Sequence, residues 1–184
     1  MLAARRLPFA RPLQRVAFHR RFHASPAFNV SVGDKIPDVP VMEGSPGNKV
    51  SLAQELKGRG RALIIGVPAA FSPACSESHI PGYINSPKLK DAGQVFVVAV
   101  NDAFVTKAWG KTLDPSGSSG IRFLADPSLS FTNALDLSFD GSAIFGGHRG
   151  KRYALVVEDG VVKEAHVEPD STGLDVSAAS KVLG

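Results

Sequence analysis

The chain contains one cysteine, Cys75, in the run Phe71-Ser72-Pro73-Ala74-Cys75, which follows the apolar stretch Ala62 to Val67. A lone thiol is either a nucleophile or a small buried hydrophobe, the common fate of an unpaired cysteine. Its position favours chemistry. Serine is a preferred helix N-cap and proline a preferred first helical residue, so Ser72-Pro73 predicts a helix start with Cys75 in the first turn. That turn has unpaired backbone N–H groups and the positive end of the helix dipole, and both favour a thiolate. Helix position alone is too weak. Moving a free thiol from about 8.5 to near 6 takes roughly 3.4 kcal/mol, whereas a helix terminus supplies about 0.3–1 kcal/mol and at most about 2. A cation must supply the remainder. Beyond the first 33 residues the arginines are Arg59, Arg61, Arg122, Arg149 and Arg152, and spacing alone does not choose among them.

The elements that would position the thiol are legible around it. Arg61 to Val67 and Gln94 to Val100 read as buried strands, apolar nearly throughout, as strands covered on both faces are. Asn101-Asp102 predicts the cap of a helix through Trp109, and Asp126-Pro127 the cap of another through Leu135. Val39 to Gly47 reads as loop or edge, Ser51 to Leu56 as one helical turn, Arg122 to Ala125 as a third strand, and Asp140 to Gly150 as a surface loop. Pro81-Gly82 is expected to kink or end the helix that carries Cys75. Tyr153 to Val157 and Val161 to Val167 flank Glu158-Asp159-Gly160, a hairpin signal, and a last helix is expected near 177–183. This order predicts an α/β protein with a central mixed sheet flanked by helices, and it fits a thioredoxin-like fold.

Composition narrows the function. The first 33 residues hold six arginines and no acid, and the remainder carries 15 basic and 17 acidic residues. Residues 1–28 therefore read as a mitochondrial transit peptide, with a disordered basic arm as the alternative, and 30–184 as the folded domain. The expected location is the mitochondrial matrix, where a reducing milieu suits an unpaired thiol. No basic patch with interleaved aromatics supports nucleic-acid binding, and no apolar run reaches the roughly 18–20 residues of a membrane-spanning helix. One cysteine excludes a Cys-x-x-Cys pair or a multi-cysteine zinc site. The five histidines show no metal-ligand spacing. No metal, haem or flavin cofactor is expected.

Pro68-Ala69-Ala70-Phe71-Ser72-Pro73-Ala74-Cys75 resembles the peroxiredoxin signature. Its frame, from Gly66 to Gly82, is similar to the type II, or peroxiredoxin-five, subfamily. Val100 to Lys111, Phe123 to Asp126 and Arg149 to Leu155 extend the resemblance in order, over about residues 30–184. The resemblance implies that Cys75 is the peroxidatic nucleophile and that Arg152 lowers its pKa and holds the peroxide. Ser72, where threonine is usual, would offer its hydroxyl, and Pro68 would shield the site from water. Arg149 is a secondary candidate. Ala69 stands where glycine is common. His79 is expected to pack and hydrogen-bond without acid–base work, and Trp109 to lie in the core or a dimer contact. The implied activity is a thiol-dependent peroxidase acting on hydrogen peroxide and organic hydroperoxides through a Cys75 sulfenic acid, in a homodimer. Some type II relatives carry a second cysteine near the position of Val97, which is apolar here, so recycling requires an external thiol, with glutathione and glutaredoxin expected ahead of thioredoxin. Because Cys75-Ser76-Glu77-Ser78 also reads as Cys-x-x-Ser, a glutaredoxin-like thiol transferase is an alternative. A non-catalytic thioredoxin-fold interaction protein is another.

Overall fold

The computed structural model describes residues 30–184. The expected transit peptide lies outside them. The elements follow in order: β1 (Pro40–Glu43), β2 (Lys49–Ser51), α1 (Leu52–Glu55) and β3 (Arg61–Val67). A π-helical segment, Ala74–His79, runs into α2 (Ile80–Ile84). Then come β4 (Gln94–Ala99), α3 (Ala103–Leu113), β5 (Arg122–Ala125) and α4 (Ser130–Ala134). The chain continues with β6 (Ser138–Asp140), α5 (Ser142–Phe145), β7 (His148–Gly150), β8 (Tyr153–Glu158), β9 (Val161–Val167) and α6 (Ala179–Val182).

Seven strands form one mixed sheet in the order β2-β1-β5-β4-β3-β8-β9. The central β5, β4 and β3 are parallel, and β1, β8 and β9 join antiparallel. Because side chains alternate along a strand, β3 and β4 divide their apolar residues between two cores. Ile64, Phe96 and Val98 join Leu52, Phe131 and Leu155 on one face. Leu63, Ile65, Val67, Val95, Val97 and Ala99 join Cys75, Ile80, Tyr83, Trp109 and Ala179 on the other. The cysteine is thus part of a core. Gly66 breaks the pattern for a packing reason: a Cβ there would lie 2.0 Å from Tyr153 Cε1.

The expected mixed α/β architecture is present, and the Arg61 and Arg122 strands, the Asp102-capped helix and the hairpin fall where the residues predict. Asp102 accepts from Phe104 and Val105 N–H, both at 2.9 Å. The hairpin turns through Asp159 and Gly160, both at positive φ. Four local expectations need correction. The Val39 to Gly47 stretch is not an edge, since its strand β1 lies between β2 and β5. Asp140 to Gly150 is not one loop but part of a two-stranded sheet, β6 with β7, around α5. Asp126 does not start a helix at Pro127. Its carboxylate reaches ahead to Thr132 N–H (2.8 Å) and Oγ1 (2.7 Å), and α4 begins only at Ser130, after Leu129 at φ 59°. Pro81 does not end its helix, which runs on to Ile84. The backbone changes gauge at Ile80, whose N–H donates to the Cys75 carbonyl five residues back. Pro81 then sits in the first turn of α2, where a missing N–H costs little.

Candidate active site

β3 delivers the chain to Pro68, and a tight turn follows. Ala70 N–H donates to the Asn101 side chain at 2.9 Å, tying the turn to the end of β4. The left-handed backbone falls on Phe71 (φ 61°), so Ala69 in place of the usual glycine meets no such demand. The Ser72 side chain does not cap the helix. Its hydroxyl donates back to the Ala69 carbonyl at 3.0 Å, while the Ser72 carbonyl accepts Ser76 N–H at 2.9 Å. Cys75 still lies in the first helical turn, as expected, with its side chain buried.

Arg152 stands just before β8 and is 2 % exposed, which for a guanidinium demands partners. They are present. Nη1 donates to Cys75 Sγ at 3.3 Å and meets His79 Nδ1 at 3.1 Å. Nε donates to the Gly173 carbonyl at 2.7 Å, and Nη2 to that of Thr172 at 3.1 Å. These contacts engage four of the five guanidinium hydrogens and leave one on Nη2 for a bound molecule. The backbone is gripped as well: Arg152 N–H donates to Ser171, and Glu168 N–H to Arg152. Glu168 shapes this loop by accepting from Asp175 N–H and from the N–H and hydroxyl of Ser177. Burial pushes its carboxyl upward, but those hydrogen bonds outweigh burial and hold it below the usual range.

Pro68, Ser72, Pro73, Ala74 and Arg152 line a pocket of about 360 Å³, closed on another side by Ile144, Phe145 and Thr172. The structure therefore brings Pro68, Ser72 and Arg152 to one pocket; the fully buried Cys75 is not among its lining residues and meets it through Arg152 Nη1. Arg149 is held elsewhere: its guanidinium donates to the Val100 and Phe145 carbonyls and lies over the Phe145 ring. Trp109 is a core residue, fully buried, with Nε1 donating to Ser76 Oγ at 3.0 Å. His79 is buried and hydrogen-bonded, as expected. Burial, and then the Arg152 charge, depress it to about 3, so the imidazole is neutral. Sequence reasoning missed the Thr172 and Gly173 carbonyls, the α5 wall and Glu168. Only the turn-forming composition of Pro169-Asp170-Ser171-Thr172-Gly173 hinted at a shaped loop there.

Three central parallel strands with antiparallel strands joined at β3, and a thiol on the helical turn that follows β3, define a thioredoxin-like fold. The Redoxin family model matches residues 31–183. The chain is 45% identical over 157 residues to peroxisomal membrane associated protein 20 of Schizosaccharomyces pombe, covering 84% of this chain and 97% of that protein. It is 35% identical over 162 residues to the chloroplastic peroxiredoxin-2E-2 of rice, Oryza sativa, covering 84% and 71%. The solved peroxiredoxin 5 of Alvinella pompejana superimposes with a TM-score of 0.69 at 39% identity, covering 78% of this chain and 92% of that one. The chain belongs to the Redoxin family and, within it, to the peroxiredoxins, which are thiol-dependent peroxidases. This family membership favours the peroxidase reading over the thiol transferase and the non-catalytic protein.

Proposed function

We propose that the domain, residues 30–184, reduces hydrogen peroxide and organic hydroperoxides with Cys75 as the nucleophile. The observation that carries this reading is the contact of the buried Arg152 Nη1 with Sγ of the chain's single cysteine, at 3.3 Å. Arg152 favours the thiolate, and its remaining N–H, with the Ser72 hydroxyl, holds the peroxide in the pocket beneath Pro68. The thiolate attacks one peroxide oxygen, the O–O bond breaks, and a proton gives water or an alcohol as the second product. Fixed donors stabilise charge on the departing oxygen. Cys75 becomes a sulfenic acid.

Recycling proceeds by an incoming thiolate, which displaces water from the sulfenic acid and forms a mixed disulfide. A second thiol then releases Cys75 by exchange. Glutathione with a glutaredoxin is the proposed source and thioredoxin the alternative. What supports an external thiol is that the chain has no second cysteine. Mass spectrometry after peroxide plus glutathione should find one glutathione on Cys75. Turnover with thioredoxin alone, unaffected by glutathione, would overturn this part of the reading. A homodimer is proposed from the resemblance, with Phe71 and Phe104 as apolar surface available to a contact, and sedimentation tests it.

The mitochondrial matrix is the proposed compartment. Its support is the arginine-rich, acid-free composition of residues 1–28, which lie outside the described residues. The relatives named above for the peroxisomal membrane and the chloroplast show that family membership does not fix a compartment. A fluorescent fusion of the full chain should enter mitochondria and one lacking residues 1–28 should not. Import of both, or of neither, refutes the assignment.

A further inference from the structure

We infer that His79 is a positioning residue for the peroxidase reaction: it accepts from Arg152 Nη1, the nitrogen that also donates to Cys75, and so fixes the guanidinium against the thiol. The inference rests on the Cys75–Arg152 reading above.

Nη1 carries two hydrogens. One points to Sγ at 3.3 Å, and the other is available to His79 Nδ1 at 3.1 Å. Arg152 is a donor only, so Nδ1 must present a lone pair. At 3.1 Å from Nε2 stands the Ser177 carbonyl, an acceptor only, so Nε2 must carry the proton. The two neighbours demand the same tautomer. The Ser177 carbonyl is itself pinned by the Tyr83 hydroxyl at 2.6 Å, and the Tyr83 ring packs edge-on against the imidazole at 5.6 Å. Glu168 holds Ser177 from the other side through its N–H and hydroxyl. Thus Tyr83 and Glu168 orient a carbonyl, the carbonyl orients the imidazole, and the imidazole orients Nη1.

The other guanidinium contacts do not make this clamp redundant. Nε and Nη2 are held by carbonyls of the 172–173 loop, and neither carbonyl meets Nη1. His79 is the only side chain besides Cys75 that meets Nη1 among the described residues. Cys75 and His79 also belong to one π-helical segment. The thiol and the acceptor that aims its arginine are therefore carried by the same piece of backbone. A widened turn suits this arrangement, because π segments are frequent at functional sites.

The test compares His79→Leu, which fills volume without an acceptor, with His79→Asn, whose Oδ1 occupies the Nδ1 position. The readout is the single-turnover rate with hydrogen peroxide across pH, in the full chain and at a temperature where all variants are folded. The Leu variant should react roughly tenfold more slowly, or worse, with its profile displaced to higher pH, and the Asn variant should stay within about threefold. In an Arg152→Ala background, His79→Leu should change the rate by less than about twofold, because its effect passes through Arg152. Should the Leu variant fail to fold, His79→Met is the apolar arm. Equal rates for wild type and the apolar variant, or an effect of equal size with and without Arg152, would overturn the inference. Cys75→Ser separates this failure from failure of the reading beneath it. If Cys75→Ser is inactive and the apolar His79 variant is normal, only the role of His79 is lost.

Discussion

Replacing Arg152 by alanine should slow the first peroxide turnover far more than replacing Arg149, which lies only three residues before it in the chain. Arg152→Ala removes the one guanidinium contact to Sγ among the described residues. A hydrogen bond to a charged group contributes about 1.5–3 kcal/mol, which is roughly 10–150-fold in rate. Loss of the remaining Nη2 donor to the peroxide adds to that. The substitution also strands the Thr172 and Gly173 carbonyls and His79 Nδ1. A buried acceptor without a donor costs about 1–3 kcal/mol, less where water enters the gap, so a few kcal/mol of stability should be lost as well. Arg149→Ala is the matched control: it strands the Val100 and Phe145 carbonyls but touches no sulfur. Arg152→Lys should recover only part of the rate, because one ammonium cannot reach Sγ, His79 and the loop carbonyls together. Stopped-flow tryptophan fluorescence on folded protein, with denaturant midpoints measured in parallel, separates rate from stability. Equal slowing in Arg152→Ala and Arg149→Ala, or an unchanged rate in Arg152→Ala, would refute the reasoning.

Acid should destabilise the protein through His79. Its folded value of about 3 lies below the ordinary 6.5, so between those values the unfolded chain binds a proton that the native chain refuses, and stability falls as pH drops through that window. From pH 7 to 5 this amounts to about 2 kcal/mol, seen as a urea-midpoint shift that His79→Asn should largely remove; an identical shift in both proteins would exclude His79 as its source. Gly66→Ala should cost about 1–3 kcal/mol or more by overpacking, since its Cβ would lie 2.0 Å from the Tyr153 ring, and should cost clearly less in a Tyr153→Leu background. An equal loss in both backgrounds would show that the ring is not the obstacle. Excess peroxide without thiol should carry Cys75 to the sulfinic acid and stop turnover, with a mass gain of two oxygens on the Cys75 peptide alone. Survival of full activity would count against a waiting sulfenic acid.

The features written in local chemistry were the ones legible beforehand. Arg61 to Val67 and Gln94 to Val100 are apolar on both faces because two cores cover them, and Asp102 caps because its side chain accepts from the N–H groups of Phe104 and Val105. The errors share a cause. Asp126 and Ser72 have the right residue types for caps, but each spends its side chain elsewhere, on Thr132 and Ala69. A Gly-rich run such as Asp140 to Gly150 hid a two-stranded sheet, because pairing of Ser138 to Asp140 with His148 to Gly150 depends on a register that composition does not encode. At the site, Pro68, Ser72 and Arg152 came from a motif resemblance. Thermodynamic need alone asked for a cation near Cys75 and named five arginines. What singles out Arg152 in space is a set of backbone carbonyls and a tautomer of His79, and neither leaves a mark on residue type.

The most direct test of the central claim is a single-turnover experiment with one equivalent of hydrogen peroxide and a sulfenate-trapping reagent, read by peptide mass spectrometry in wild type and Cys75→Ser. The account predicts a stoichiometric adduct on Cys75 in wild type, and in Cys75→Ser a folded protein with no adduct and no rapid peroxide consumption. Rapid consumption by Cys75→Ser, or wild-type consumption that leaves Cys75 unlabelled, would contradict it.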